Sequence, residues 1–153
     1  MTFSRHEVRH GFALLATLLL FSGCSYFGPR VAIKEVTLEV ERNANGNAPV
    51  SVDFVATSDT GLAQSLRGLT ASQWFTQREQ FQRDNPGRLS IWSLEVVPDQ
   101  FASFSDIPLH DVKAPYVLIY ANYSTPGAHR LLITTEKSVW LKLDARDIQL
   151  VTP

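Results

Sequence analysis

The stretch "VTLEVERNANGNAPVSVDFVA", Val36 to Ala56, decides how this chain folds. Val36, Leu38 and Val40 alternate with Thr37, Glu39 and Glu41. That is the period of two required of a strand with one buried face. Val50, Val52 and Phe54 repeat the pattern after a polar segment, "NANGNAP". Asn45-Gly46 marks a turn there, because both residues tolerate positive φ. Two such strands joined by a polar loop read as a hairpin. Asp53, alternating with Val52 and Phe54, is expected to face solvent.

Working outward, Val31 and Ile33 fall out of phase with Val36, so a bulge or bend is expected near Lys34-Glu35. Beyond Ala56 the period changes. Leu62, Leu66 and Leu69 share a helical face, with Ser58 or Asp59 able to cap it and Gly68 near its end. Thr70 and Gln73 then form a capping-box pattern, and Pro86-Gly87 ends the segment. Residues 59–84 therefore predict two short helices with a break near 68–70. Strand signals return at "RLSIWSLEVV" (88–97), apolar on both faces and so placed centrally. "FASFSDIPLHDVKAP" reads as irregular, with one edge strand before Pro108. "YVLIYANY" (116–123) is the most buried-looking strand; "HRLLIT", "VWLKLDA" and "IQLV" follow it, the last two joined by a tight turn at 144–147. Seven or eight strands with one helical excursion between the second and third favour a mainly β sandwich.

The first 23 residues have a different character. Arg5 and Arg9 precede the uncharged run "GFALLATLLLF", and small residues Ser22-Gly23 follow. This is the pattern of a secretory signal peptide, residues 1–23, and the apolar run is too short to span a bilayer. Cys24, the single cysteine, comes next. "FSGC" in this context resembles a bacterial lipobox, which implies acylation of Cys24 as the first mature residue. Residues 24–30 then form a tether and 31–153 a periplasmic domain. Ser25 in place of an aspartate implies sorting to the outer membrane, with the domain on its periplasmic face.

Removing residues 1–23 takes Arg5, Arg9 and Glu7. The 14 basic and 15 acidic side chains then fall to 12 and 14, a net charge near −2. No clustered basic excess suggests a nucleic-acid partner. With its one cysteine acylated, the mature chain has no disulfide and depends on its core. The motifs HExxH, CxxC and GxSxG are absent, as is a glycine-rich phosphate loop. Nothing calls for a cofactor or metal, and the chain reads as no enzyme. His110 beside Asp111, and His129 after a Pro-Gly turn, read as solvated loop residues. Adjacent side chains on extended backbone point apart, which argues against a His110–Asp111 pair. Trp74, Phe75, Phe81, Trp92 and Trp140 read as core, with the Trp74–Phe75 segment the one alternative contact surface.

The order of elements resembles the TssJ-type outer-membrane lipoproteins of type VI secretion. The resemblance rests on the lipobox, on "VTLEVERNANGNAPVSVDFVA", on the helical insertion, and on "YVLIYANYSTPGAHR" and "VWLKLDARDIQLV". "SVDFVAT" and "WFTQREQF" depart from the family's usual wording. The resemblance implies a transthyretin-like β-sandwich with a short helical insertion. It also implies a non-enzymatic docking role toward the periplasmic domain of a TssM-like inner-membrane protein. The contact would be the loop Asn43, Ala44, Asn45, Gly46, Asn47 and Ala48. A pilotin that escorts a secretin and a periplasmic ligand-binding lipoprotein are the alternative classes.

Overall fold

The computed structural model describes residues 28–151; the signal segment, Cys24 and most of the tether lie outside the described residues. In chain order the elements are β1 (Glu35–Val40), a 3-10 turn (Ala44–Asn47), β2 (Val50–Ala56), α1 (Thr60–Arg67), α2 (Ala71–Asp84), β3 (Ser90–Val96), β4 (Phe101–Ser105), β5 (Val117–Ala121), β6 (Arg130–Ile133), β7 (Ser138–Leu143) and β8 (Ile148–Val151). The strands form two four-stranded sheets, ordered β4-β1-β7-β8 and β3-β2-β5-β6. The expected mainly β sandwich with its helical insertion between β2 and β3 is what the chain forms.

Alternation places the core. Val36, Leu38 and Val40 from one sheet meet Val52, Phe54, Val117 and Ile119 from the other. Apolar surface removed from water by two inward faces is what holds such layers together. The predicted bend before β1 is present: Lys34 N and Glu35 N both donate to Lys137 O, at 2.8 and 3.3 Å. Two donors on one carbonyl shift the phase, so Val31 and Ile33 are buried as well as Val36. The tether joins the fold at its last residues, where Arg30 bridges Lys113 and Ala114 N donates to Pro29 O.

The helices form a second, smaller core on the outer face of the β2 sheet. Leu62, Leu66, Ala71 and Trp74 pack on Val55, Leu118 and Tyr120. Asp59 caps α1 by accepting from Leu62 N at 2.7 Å. Thr70 and Gln73 complete the capping box of α2. Trp74 stacks on Tyr120 with ring centroids 5.2 Å apart. The Tyr120 hydroxyl donates to Leu66 O at 2.7 Å.

Several sequence-based expectations give way. β1 and β2 are not a hairpin: β1 pairs with β4 and β7, β2 with β3 and β5. Their connection crosses from one sheet to the other. β3 is an edge strand, not a central one, and its mixed apolar pattern reflects packing beneath α2 on one side and over the main core on the other. Asp53 is buried because the helices cover the face it points to. Trp140, read as core, is 41% exposed on the uncovered outer face of the β1 sheet.

Candidate functional site at the loop end of the sandwich

The β1–β2 loop is short of regular hydrogen bonds and rich in left-handed backbone. Asn45, Gly46 and Asn47 have φ of 46°, 65° and 67° in succession. Asparagine and glycine are the residues that adopt this region at least cost. Two backbone bonds frame the turn, Ala44 N to Glu41 O at 3.0 Å and Ala48 N to Asn45 O at 3.3 Å.

The six residues of the expected contact loop divide into two groups. Ala44 and Asn45 are buried, whereas Asn43, Gly46, Asn47 and Ala48 are exposed. Asn45 works as a staple. Its Nδ2 donates to Pro49 O at 3.0 Å, closing the loop on itself. Its Oδ1 accepts from Ser124 N at 2.8 Å and from Ser124 Oγ at 2.9 Å. The loop is thereby fastened to the β5–β6 turn.

That turn is fastened in its own right. Tyr123 donates to Asp144 O and Asp147 O, at 3.0 and 2.7 Å. Burial pushes its phenol well above the usual range, and Asp144, Asp147 and Glu41 add to the effect. His129, expected to be solvated, is buried beneath this end. Its Nδ1 lies 2.9 Å from Asp147 Oδ1 and its Nε2 2.8 Å from Thr125 O. It stacks on Tyr123 at 5.0 Å between centroids. Thr125 Oγ1 reaches Arg146 O at 3.1 Å. Three connections, β1–β2, β5–β6 and β7–β8, thus share one polar network that holds the exposed residues of the first in place. Binding surfaces are commonly carried by loops held on such a scaffold.

Other singled-out residues lie elsewhere. His110 is half-buried, with Nδ1 3.1 Å from Ile33 O and Nε2 3.7 Å from Asp111 Oδ2. The two neighbours meet because Asp111 has a φ of 62°, which breaks the extended geometry that would separate them. Trp74 is fully buried in the second core, so of the Trp74–Phe75 pair only Phe75 reaches the surface in part. Sequence reasoning missed Ser124, Tyr123 and Asp147 as supports of the loop; nothing in "NYSTPGA" announces that its turn receives a side chain from 79 residues away.

Among the described residues no helix is long and apolar enough to cross a membrane. No family model matches the sequence, and no curated protein does. Solved structures do match in shape. The type VI secretion lipoprotein TssJ1 from Pseudomonas aeruginosa superimposes with a TM-score of 0.57 at 15% identity, covering 78% of this chain and 95% of that one. Lip from Serratia marcescens, a membrane-bound component of the type VI secretion system, gives 0.55 at 11% identity, covering 77% and 96%. A chain in the structure described as the type VI protein TssM C-terminal domain from EAEC gives 0.59 at 14% identity, covering 78% and 98%. At these identities the likeness establishes architecture, and the chain carries the TssJ-type fold.

Proposed function

We propose that this protein is a lipoprotein anchored through acylated Cys24 in the periplasmic leaflet of the outer membrane. There it docks the periplasmic domain of a TssM-like inner-membrane protein in a type VI secretion membrane complex. The role is assembly, not catalysis. The observation that carries the reading is the β1–β2 loop: its exposed residues are preset by left-handed backbone and by the Asn45 staple. A loop already held in one conformation loses less entropy on binding. The shared fold with type VI lipoproteins supports the choice of system. Asn43, Gly46, Asn47 and Ala48 make the contact, while Ala44 and Asn45 hold it from within.

The test leaves the staple intact. Asn43→Glu and Ala48→Glu change only exposed side chains, so the fold is retained. Calorimetry against the periplasmic C-terminal region of the candidate TssM-like protein should then show at least about tenfold weaker binding, the scale of a contact at an interface centre. Unchanged affinity would move the interface elsewhere, and no binding by the wild-type protein would remove the type VI reading. For the anchor, Cys24→Ser should release the protein from the outer-membrane fraction. Retention there, together with no lipid on the wild-type protein by mass spectrometry, would refute acylation.

A further inference from the structure

β4 is an edge of its sheet, with β1 on one side and no strand on the other. Its backbone phase follows from the bonds at its two ends. Val40 N donates to Gln100 O at 2.9 Å, and Asp106 N donates to Lys34 O at 3.1 Å. In an antiparallel pair the bonded positions recur every second residue. Gln100, Ala102, Phe104 and Asp106 therefore turn their N–H and C=O groups toward β1, with Leu38 opposite Ala102 and Val36 opposite Phe104. Thr37 Oγ1 and Ser103 Oγ lie 3.2 Å apart, which fits this phase, since side chains come closest at the positions without backbone bonds. Phe101, Ser103 and Ser105 thus point six backbone groups away from the sheet, and none of the six has a protein partner among the described residues.

Free edges are usually blunted by charge, proline or a bulge, because they invite another strand. β3 carries Glu95 and β6 carries Arg130, while β8 lies beside β6. β4, with the sequence FASFS, has no charge and no proline. Phe101 is the most exposed large apolar side chain among the described residues, at 66%. Phe104, which meets Trp92 edge-on, is only half-buried. The strand also suits a copy of itself. A twofold axis through Ser103 sets Ser103 opposite Ser103 of the copy, and Phe101 opposite the copy's Ser105. This is the one register in which all six outward groups of β4 are bonded. It places Ala102 opposite the copy's Phe104, small against large. The nearest charge along the strand, Asp106, falls opposite Gln100 and not opposite another acid. A twofold pairing repeats every contact, so the absence of opposed like charges counts on both sides of the axis.

We propose that β4 pairs antiparallel with β4 of a second copy of this chain, joining two four-stranded sheets into one of eight strands. A contact of five residues a side falls below the roughly 1,200 Å² of total area typical of stable complexes, so association in free solution is weak, with Kd of about 0.1 mM. Copies held on one membrane surface meet at a higher effective concentration. That last step rests on the proposed Cys24 anchor. The pairing itself depends neither on the anchor nor on the type VI reading.

Sedimentation equilibrium of the full chain in density-matched detergent, up to about 0.5 mM, should show monomer and dimer in exchange. Ser103→Pro removes an N–H that points outward and leaves the bonds to β1 in place, as proline on an edge strand can. It should weaken the dimer at least about tenfold, by taking away two of the six bonds across the axis. Should that variant fold poorly, Ser103→Lys and Ser103→Glu, at an exposed position, should each be monomeric alone and associate when mixed, which a folding defect would not produce. Oxidation in cell membranes tests the register. Opposed Cα atoms in a bonded pair lie about 5.5 Å apart, within reach of a disulfide. Ser103→Cys should give a cross-linked dimer that the wild-type chain, with Cys24 alone, does not. Phe101→Cys and Ser105→Cys should each fail to cross-link alone and succeed when coexpressed. A wild-type chain that stays monomeric, with no Ser103→Cys product, overturns the proposal and leaves the edge to an extended segment of a different protein. Equal cross-linking by Ser103→Cys and Ser105→Cys alone would mean random collision, and a dimer unchanged by Ser103→Lys would mean a contact on another face; either result also overturns it.

Discussion

Asn45 accepts two hydrogen bonds from a single residue, Ser124, through the backbone N–H at 2.8 Å and the hydroxyl at 2.9 Å. The loop that carries the proposed contact is therefore held by a side chain that no partner would touch. Asn45→Ala removes that acceptor and the donor to Pro49 O, and places alanine at a φ of 46°. The expected loss is about 2–4 kcal/mol, from buried groups left unpaired and a left-handed alanine. Urea unfolding measures it. Ser124→Ala keeps the backbone donor and should lose less, about 1 kcal/mol.

Gly127 is required by a close approach. A Cβ there would stand 2.5 Å from Cε1 and 2.6 Å from Nε2 of His129. Gly127→Ala should displace the ring from Asp147 and Thr125 and cost about 1–3 kcal/mol, the usual range for overpacking. Adding Gly127→Ala to His129→Ala should then cost almost nothing further. Additive losses in the double variant would show that the clash is not with the ring.

Leu118 lies on β5, in the second core, between the helices and the sheet. Leu118→Ala should cost about 2–5 kcal/mol by emptying a packed site. Equilibrium unfolding followed by circular dichroism checks this. A cost below about 0.5 kcal/mol would mean that the helices are loosely attached.

Alkaline pH should destabilise the fold. Burial pushes the phenols of Tyr120 and Tyr123 well above their ordinary range. The unfolded chain loses these protons first, near pH 10, so above that pH the folded state holds more protons and stability falls as pH rises. Lys142, raised by its contact with Glu41, acts in the same direction, and Lys142→Gln separates its share. Unfolding free energies should fall between about pH 9 and 11, less steeply in Tyr120→Phe than in the wild type. Equal slopes would assign the effect to other groups.

Local patterns were legible in the sequence. The alternation of Val36, Leu38 and Val40, the Thr70–Gln73 box and the apolar run in β5 each depend on neighbours a few residues apart, and each formed as expected. What failed depends on distant chain. Asp53 alternates like a solvent-facing residue, and only the docking of α2 buries it. Asn-Gly marks a turn whether the flanking strands pair or part, so it could not tell a hairpin from a crossing between sheets. Burial of His129 follows from Tyr123, Asp147 and Gly127 closing around it, contacts that no periodicity encodes. The loop could be located in the sequence, but its division into inward and outward residues could not, because Ser124 supplies the reason.

The crossing of the chain between sheets has a mechanical meaning. A hairpin pulled at its tip opens like a zipper, one pair of ladder bonds after another. Here the two ends of the loop enter strands in different layers, and each strand is flanked by neighbours on both sides. Tension on the loop is therefore borne by four ladders at once, in shear, and by the packed interior between the layers. If the proposed anchoring and docking hold, that is a load path running through the whole body.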